Sequence, residues 1–163
     1  MSATASPAVR VEPDPVIVTD FGADYVDAFR IDGVPGTTAR SWTDATLHGS
    51  DAARGLFRTF VWHGLLRFDL TDDHEAGTAF GWRISIEEHH RVVLDTDGSL
   101  GAGRMVFDTT DDATTWTTML RYHRPLARYV WAVLGNGHRA IAPSCLDRAS
   151  IHLRRSPKPA AAG

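Results

Sequence analysis

Residues 24–31 show the first clear pattern of apolar and polar side chains, which alternate one by one along the chain. A period of two residues is typical of a β-strand with one buried face. The more apolar face carries the side chains of Tyr25, Asp27, Phe29 and Ile31. This assignment predicts that Asp27 points into the protein. The opposite assignment, with Asp24 inside and Asp27 in water, stays open at this point.

Two helices are predicted after this strand. Ser41 is typical of a helix N-cap and precedes a short helix over residues 42–48. A second helix is predicted over residues 51–66, because small and apolar residues recur there at helical spacing. These residues are Ala53, Leu56, Phe57, Phe60 and Gly64.

The period of two residues returns after an acidic loop at residues 71–77. Four further strands are predicted near residues 82–90, 91–97, 104–110 and 114–123. Two of the turns between them contain an Asp-Gly or an Asp-Asp pair, which favours tight hairpins. Consecutive strands linked by hairpins form an antiparallel meander with one solvent-facing side.

The last predicted element is a long helix over residues 126–153, with Pro125 in its first turn. The residues within one narrow sector of this helix are Trp131, Leu134, His138, Ile141 and Cys145. We expect this sector to face the sheet. An antiparallel sheet covered by a long C-terminal helix places the chain in the α+β fold class.

Length and composition indicate one domain with two tails. The chain has 163 residues, 43% of them hydrophobic, and a net charge of −3. Residues 1–19 and 156–163 are rich in Ala, Ser and Pro, so we expect flexible tails around a domain at 20–155. The chain lacks an apolar run of membrane-spanning length and the apolar stretch of a secretory signal, so we expect a soluble cytoplasmic protein. The slightly acidic balance argues against a nucleic-acid partner.

Several kinds of site are not predicted. The eight histidines do not fall at metal-ligand spacings, and a single cysteine, Cys145, excludes a thiolate-rich zinc site. The glycine-rich residues 98–103 lie between strands and open no helix, so the sequence does not indicate a phosphate-binding loop. We therefore expect neither a metal nor a cofactor.

Five short strings spread over the predicted domain resemble one family. They are DYVDAF at 24–29, GWRI at 81–84, LRYH at 120–123, ARY at 127–129 and HRAI at 138–141. Through them the chain resembles a START-like branch of bacterial proteins in the polyketide cyclase and lipid-transfer superfamily. The resemblance implies a helix-grip fold, in which an antiparallel sheet wraps around a long C-terminal helix and both enclose a hydrophobic cavity. It also implies lipids, sterols, polyketides or aromatic molecules as ligands, and in some relatives cyclisation or dehydration.

Aromatic and aliphatic side chains are candidates for the wall of such a cavity. The candidate ligand-binding residues are Trp82, Trp116, Tyr122, Trp131 and Leu134. The first three project from one face of the predicted sheet, and the other two lie on the helix. Aromatic rings of this kind suit a flat apolar ligand. The same rings can equally fill the space as a solid core.

His138 and Asp27 are the candidate catalytic residues. Both are expected to face the interior, one from the last helix and the other from the first strand, and to lie close enough to interact. Histidine is the commonest general acid or base, and a neighbouring carboxylate fixes its tautomer. The same pair is equally sensible as a structural hydrogen bond inside an apolar core.

Three functions are compatible with these features. The first is the binding of a small hydrophobic or aromatic molecule between the sheet and the C-terminal helix. The second is an enzyme of the cyclase or dehydratase type that acts on a polyketide-like ligand with His138 and Asp27 as an acid–base pair. The third is a partner-binding module with a filled core.

Overall fold

The computed structural model describes residues 6–48, 67–69 and 76–156. The predicted helix over residues 51–66 lies outside the described residues, as do most of the acidic loop and residues 157–163 of the predicted C-terminal tail.

Seven strands of the described chain form one antiparallel sheet. In chain order they are β1 (Val9–Arg10), β2 (Tyr25–Asp32), β3 (Thr78–Ala79), β4 (Trp82–Glu87), β5 (Arg91–Asp97), β6 (Gly101–Thr109) and β7 (Ala113–Tyr122). Their order across the sheet is β1-β2-β7-β6-β5-β4-β3. The strands β4 to β7 therefore form the predicted meander, and the unpredicted strand β3 extends it at one edge. The β2–β7 pair joins the meander to the N-terminal part of the chain.

The helices of the described chain are α1 (Pro15–Phe21), α2 (Ala39–Leu47) and α3 (Pro125–Arg155). α3 closely matches the helix predicted over residues 126–153, and it packs together with α2 on the inner face of the sheet. The predicted α+β class is confirmed: an antiparallel sheet is combined with a C-terminal helix of 31 residues. None of these helices is long and apolar enough to cross a membrane.

The N-cap of α2 is Thr38, not Ser41 as the sequence predicted. The Thr38 hydroxyl accepts a hydrogen bond of 3.1 Å from the backbone N–H of Ser41. Both residue types can cap a helix, but the N-cap must keep an extended backbone, and Thr38 does so with φ −107° and ψ 160°. The helix therefore begins at Ala39, and Ser41 lies inside its first turn.

The N-terminal residues 1–19, predicted as a flexible tail, contain β1 and most of α1. Pro15 is the first residue of α1, a position at which proline loses no hydrogen bond, and Asp14 caps the helix. At the end of α1, Phe21 is buried against the outer face of the sheet beside Val106. Pro15 therefore begins a helix at this place, and hydrophobic contact of Phe21 with the sheet stabilises it.

The main core lies between the inner face of the sheet and the helices α2 and α3. Its larger buried side chains are Phe29, Ile31, Trp82, Leu94, Met105, Phe107 and Trp116 from the sheet and Trp42, Leu47, Trp131 and Leu146 from the helices. The inner face of β2 is the one that alternation predicted, since Asp27 is buried and Asp24 is exposed.

The buried face of α3 differs from the predicted sector at Ile141. This side chain is 37% exposed, whereas the neighbouring Ala142 is 1% exposed. At 100° per residue, Ala142 lies about 20° from the direction of Trp131 and Ile141 about 80° from it. The small Ala142 side chain thus faces the core, and the larger Ile141 lies at the edge of the buried face.

Candidate functional site

Asp27 is a carboxylate at the centre of the inner face of β2. The residue is 1% exposed, and it is paired in register with Thr118 of β7. Burial of a charged carboxylate costs on the order of several kcal/mol of folding free energy unless other groups pair with it. The contacts of Asp27 therefore decide what this part of the protein can do.

His138 reaches Asp27 from α3. The residue is 4% exposed, and its Nε2 atom lies 3.4 Å from Oδ1 of Asp27. The sequence placed both residues inside and near each other, and the structure brings them together. Whether the pair acts in catalysis stays a prediction.

Tyr25 and Arg139 extend the pair into a chain of polar groups. The Tyr25 hydroxyl donates a hydrogen bond of 2.6 Å to Oδ2 of Asp27 and accepts one of 3.0 Å from Nη1 of Arg139. Arg139 also donates a hydrogen bond to Asn136, on the same helix. Sequence reasoning missed both residues as site members. Tyr25 was recognisable from its position two residues before Asp27, on the same strand face.

The Tyr25 hydroxyl is held in its protonated form. Burial raises its pKa to about 12, and the hydrogen bond to Asp27 and the negative charge of that carboxylate add to this effect. The hydrogen bond and the positive charge of Arg139 act in the opposite direction but are weaker. Tyr25 is therefore a hydrogen-bond donor to Asp27 at neutral pH.

Two indole rings flank the imidazole of His138. The ring centres of Trp116 and His138 are 5.7 Å apart at an interplanar angle of 80°, and those of Trp131 and His138 are 5.6 Å apart at 50°. Trp131 also meets the Tyr25 ring edge to face, with ring centres at 5.1 Å. The polar pair is thus enclosed by aromatic rings from the sheet and from α3.

The predicted ligand-binding residues all belong to the main core or pack against it, but they differ in their place relative to the polar pair. Trp116 and Trp131 lie at the polar pair, and Leu134 is half-buried on the same helix. Trp82 lies on β4, three strand spacings (about 14 Å) across the sheet from β7, and its ring contacts Phe68.

Tyr122 lies apart from the polar pair, at the end of β7. It lines a surface cleft of about 430 Å³ together with residues around the start of α3. Two further clefts, of about 500 and 570 Å³, lie on the outer face of the sheet beside α1 and the segment before it. The cavity predicted between the sheet and α3 is not among these three clefts and stays a prediction.

The described ranges, which omit 49–66 and 70–75, contain no group of three His, Cys, Asp or Glu side chains placed to hold a metal ion. The polar side chains of the site differ in chemistry. These are one carboxylate, one imidazole, one protonated phenol and one guanidinium. They can exchange protons or hydrogen bonds with a molecule that reaches the interior.

No protein-family model matches this chain, and no curated protein matches it either. A similar solved structure is the crystal structure of protein Ms6760 from Mycobacterium smegmatis. The two chains are 16% identical, the match covers 93% of this chain and 99% of the other, and the TM-score is 0.48.

Proposed function

We propose that the protein binds a small apolar or aromatic molecule between the inner face of the sheet and α3. Asp27 and His138 form the polar end of this site, and Trp116 and Trp131 its walls. The observation that carries the proposal is the burial of Asp27 and His138, with two indole rings in contact with the His138 imidazole. Apolar sites with a few convergent polar groups are the usual form of small-molecule sites in proteins.

The architecture supports the same function. An antiparallel sheet packed on a long C-terminal helix is the layout of the helix-grip fold, which the START-like motifs imply. Proteins with that fold hold apolar ligands between these two elements. Because a fold can carry many functions, the proposal depends on the polar pair and its aromatic neighbours.

Native mass spectrometry tests the proposal. We expect freshly purified protein to retain a small molecule, and protein freed of it to take up 2-naphthol in a 1:1 complex. The five tryptophans then report the place of binding through their indole N–H signals in NMR spectra. Binding in the proposed site shifts the signals of Trp116 and Trp131 more than that of Trp42, which already donates a hydrogen bond of 3.0 Å to Thr37.

Two results would overturn the proposal. One is the absence of any complex in native spectra at millimolar 2-naphthol. The other is a complex that leaves the Trp116 and Trp131 signals unchanged. The first result would favour a partner-binding module with a filled core.

A second candidate function is an enzyme of the cyclase or dehydratase type. The contact of 3.4 Å between His138 and Asp27 favours it, because a carboxylate orients an imidazole for proton transfer. Since Nε2 faces Asp27, proton exchange with a bound molecule would use Nδ1. The simplest step is removal of a proton from the carbon beside a ketone, with a proton from solvent returned to the same carbon.

Exchange of the α-protons of 2-tetralone in D₂O, followed by NMR, measures this step. An enzyme accelerates the exchange, and His138→Gln abolishes it while the variant stays folded and still binds 2-naphthol. His152→Gln changes an exposed histidine of the same helix and is the matched control. If His138→Gln lowers the melting temperature but leaves the rate of exchange unchanged, the role of the His138–Asp27 pair is structural.

A further inference from the structure

Trp116 carries a buried hydrogen-bond donor that meets no acceptor in the described part of the protein. The residue is 5% exposed, and among the described residues its indole N–H has no hydrogen-bond partner. An indole N–H can only donate, and burial without an acceptor costs free energy. Most buried tryptophans avoid this cost by finding an acceptor.

The Trp116 ring is held in place by its neighbours. It stacks on Phe107 of β6 with ring centres 5.5 Å apart and an interplanar angle of 10°. Its edge-to-face contact with His138 constrains it further. The ring therefore cannot turn toward another acceptor without losing packing contacts.

Asp27 carries a complementary hydrogen-bond acceptor. Its Oδ2 atom accepts the hydrogen bond of Tyr25, whereas its Oδ1 atom receives no hydrogen bond within the described part of the chain. The Nε2 atom of His138 lies 3.4 Å from Oδ1. This carboxylate oxygen can accept a hydrogen bond from a donor on a ligand.

The sheet register places the residues that carry these two groups near each other. Phe29 pairs with Trp116, and Asp27 pairs with Thr118. Asp27 and Trp116 are thus diagonal neighbours on one face of an antiparallel pair, a relationship that brings long side chains within reach of each other. Both side chains also contact His138.

We infer that the ligand presents a hydroxyl group, of an alcohol or a phenol, to Trp116 and Asp27. The hydroxyl oxygen accepts the hydrogen bond of the Trp116 indole, and the hydroxyl hydrogen is donated to Oδ1 of Asp27. A hydroxyl combines one donor with acceptor lone pairs on a single atom, which is what these two protein groups require. This inference rests on the proposed binding function and adds the chemical class of the ligand.

Three naphthalenes of similar size test the inference in the wild-type protein. These are 2-naphthol, which can donate and accept, 2-methoxynaphthalene, which can only accept, and 2-methylnaphthalene, which can do neither. We expect affinity to fall in that order, with about tenfold between the first and the last, the effect of one or two net hydrogen bonds. Fluorescence titration of the naphthalenes gives the dissociation constants.

Trp116→Phe removes the indole N–H and retains an aromatic ring. We expect it to weaken the binding of 2-naphthol and 2-methoxynaphthalene by about fivefold, and to leave 2-methylnaphthalene within about twofold, since only the first two accept a hydrogen bond. Trp42→Phe is the matched control, because the N–H of Trp42 already donates to Thr37. That variant leaves the order of the three ligands unchanged.

The outcomes separate this inference from the function on which it rests. Equal affinity of the three naphthalenes, in the wild type and in Trp116→Phe, overturns hydroxyl recognition but leaves binding of an apolar molecule in place. Binding of none of the three by the wild type overturns both. A buried water that satisfies Trp116 in both the free and the bound protein, seen in a crystal structure with 2-naphthol, also overturns the inference.

Discussion

The Tyr25 hydroxyl donates a hydrogen bond of 2.6 Å to Asp27, two residues further along the same strand. Side chains two residues apart on a strand share one face, so this contact is local to β2. Arg139 joins it from α3, 114 residues away in the chain, and donates to the Tyr25 hydroxyl. Because Tyr25 occupies Oδ2 of Asp27, the other carboxylate oxygen is left to face His138.

The Tyr25 hydroxyl should ionise only near pH 12. Burial and the contact with Asp27 raise its pKa to about 12, from about 10 in an unfolded chain. Because the pKa of Tyr25 is higher in the folded state, its contribution to the free energy of unfolding is fully present below about pH 10. This contribution is lost as the pH rises from about 10 to about 12. Absorbance at 295 nm should show a tyrosine ionisation near pH 12 that Tyr25→Phe removes. Burial also raises the pKa of Tyr122, and the ionisation of Tyr122 should stay in Tyr25→Phe. The control Tyr129→Phe changes an exposed ring and should leave the ionisation of Tyr25 in place.

Replacement of Asp27 by alanine should destabilise the protein by about 3 kcal/mol, because it removes a hydrogen-bond or ion-pair partner from other buried polar groups. The groups affected are the Tyr25 hydroxyl and His138. Urea unfolding followed by circular dichroism measures the change. Asp32→Ala, on the same strand but exposed, should stay within about 0.5 kcal/mol of the wild type. Equal stabilities of the two variants would contradict a paired, buried Asp27.

Two glycines of α3 should respond differently to alanine. A Cβ atom at Gly137 would meet no atom within 4 Å, so Gly137→Ala should stabilise the helix by up to about 1 kcal/mol. A Cβ atom at Gly135 would lie 3.0 Å from Nε1 of Trp131. Because Trp131 must move to make room, Gly135→Ala should stabilise the protein less than Gly137→Ala does, or should destabilise it. Thermal unfolding of both variants tests this, and a larger gain at position 135 would contradict the close packing of Trp131.

The surface pair of Asp97 and His123 should add a small pH-dependent stability. The two side chains are 2.7 Å apart. Burial alone would raise the pKa of Asp97, but hydrogen bonds from His123 and from the backbone N–H of Gly98, with the charge of Arg121, outweigh burial and lower it. A lowered pKa stabilises the folded state above the unfolded pKa of about 4, and this contribution is lost as the pH falls through the folded pKa.

Asp97→Asn removes this titration. Between about pH 5 and pH 2, the wild type should lose up to about 1 kcal/mol more stability than the variant, a small amount because exposed ion pairs are screened by water. Urea unfolding at several pH values measures the difference, with Asp112→Asn in an exposed turn as the control. Parallel pH profiles for the wild type and Asp97→Asn would contradict the lowered pKa.

Alternation along the chain predicted the strands well. The strand predicted over residues 91–97 is β5 (Arg91–Asp97), and the strand predicted over residues 24–31 is shifted by one residue. It also predicted the inward face of β2, so Asp27 was identifiable as an interior carboxylate. Strand geometry alone imposes the period of two residues, and the apolar side chains mark the buried face.

The helix ends and the N-terminal segment were less predictable. Thr38 and Ser41 are both good caps by residue type, and only the backbone conformation in the folded chain selects Thr38. The residues of β1 and α1 have the composition of a tail. Pairing of β1 with β2 and burial of Phe21 against the sheet give them regular structure. These contacts are made with residues that are distant in sequence, so the local pattern of side chains does not predict them.

The sequence by itself favoured the observed inner face of β2 and indicated most of the buried face of α3 around Trp131, because both follow from the local period of the backbone. The tertiary structure decided the rest. Pairing of β2 with β7 made Asp27 and Trp116 neighbours, and the rotation of α3 on the sheet buried Ala142 and exposed Ile141. The position of Arg139 at the Tyr25 hydroxyl is likewise a tertiary contact. These arrangements depend on how separate elements pack, and packing minimises the free energy of the whole chain, not of any one segment.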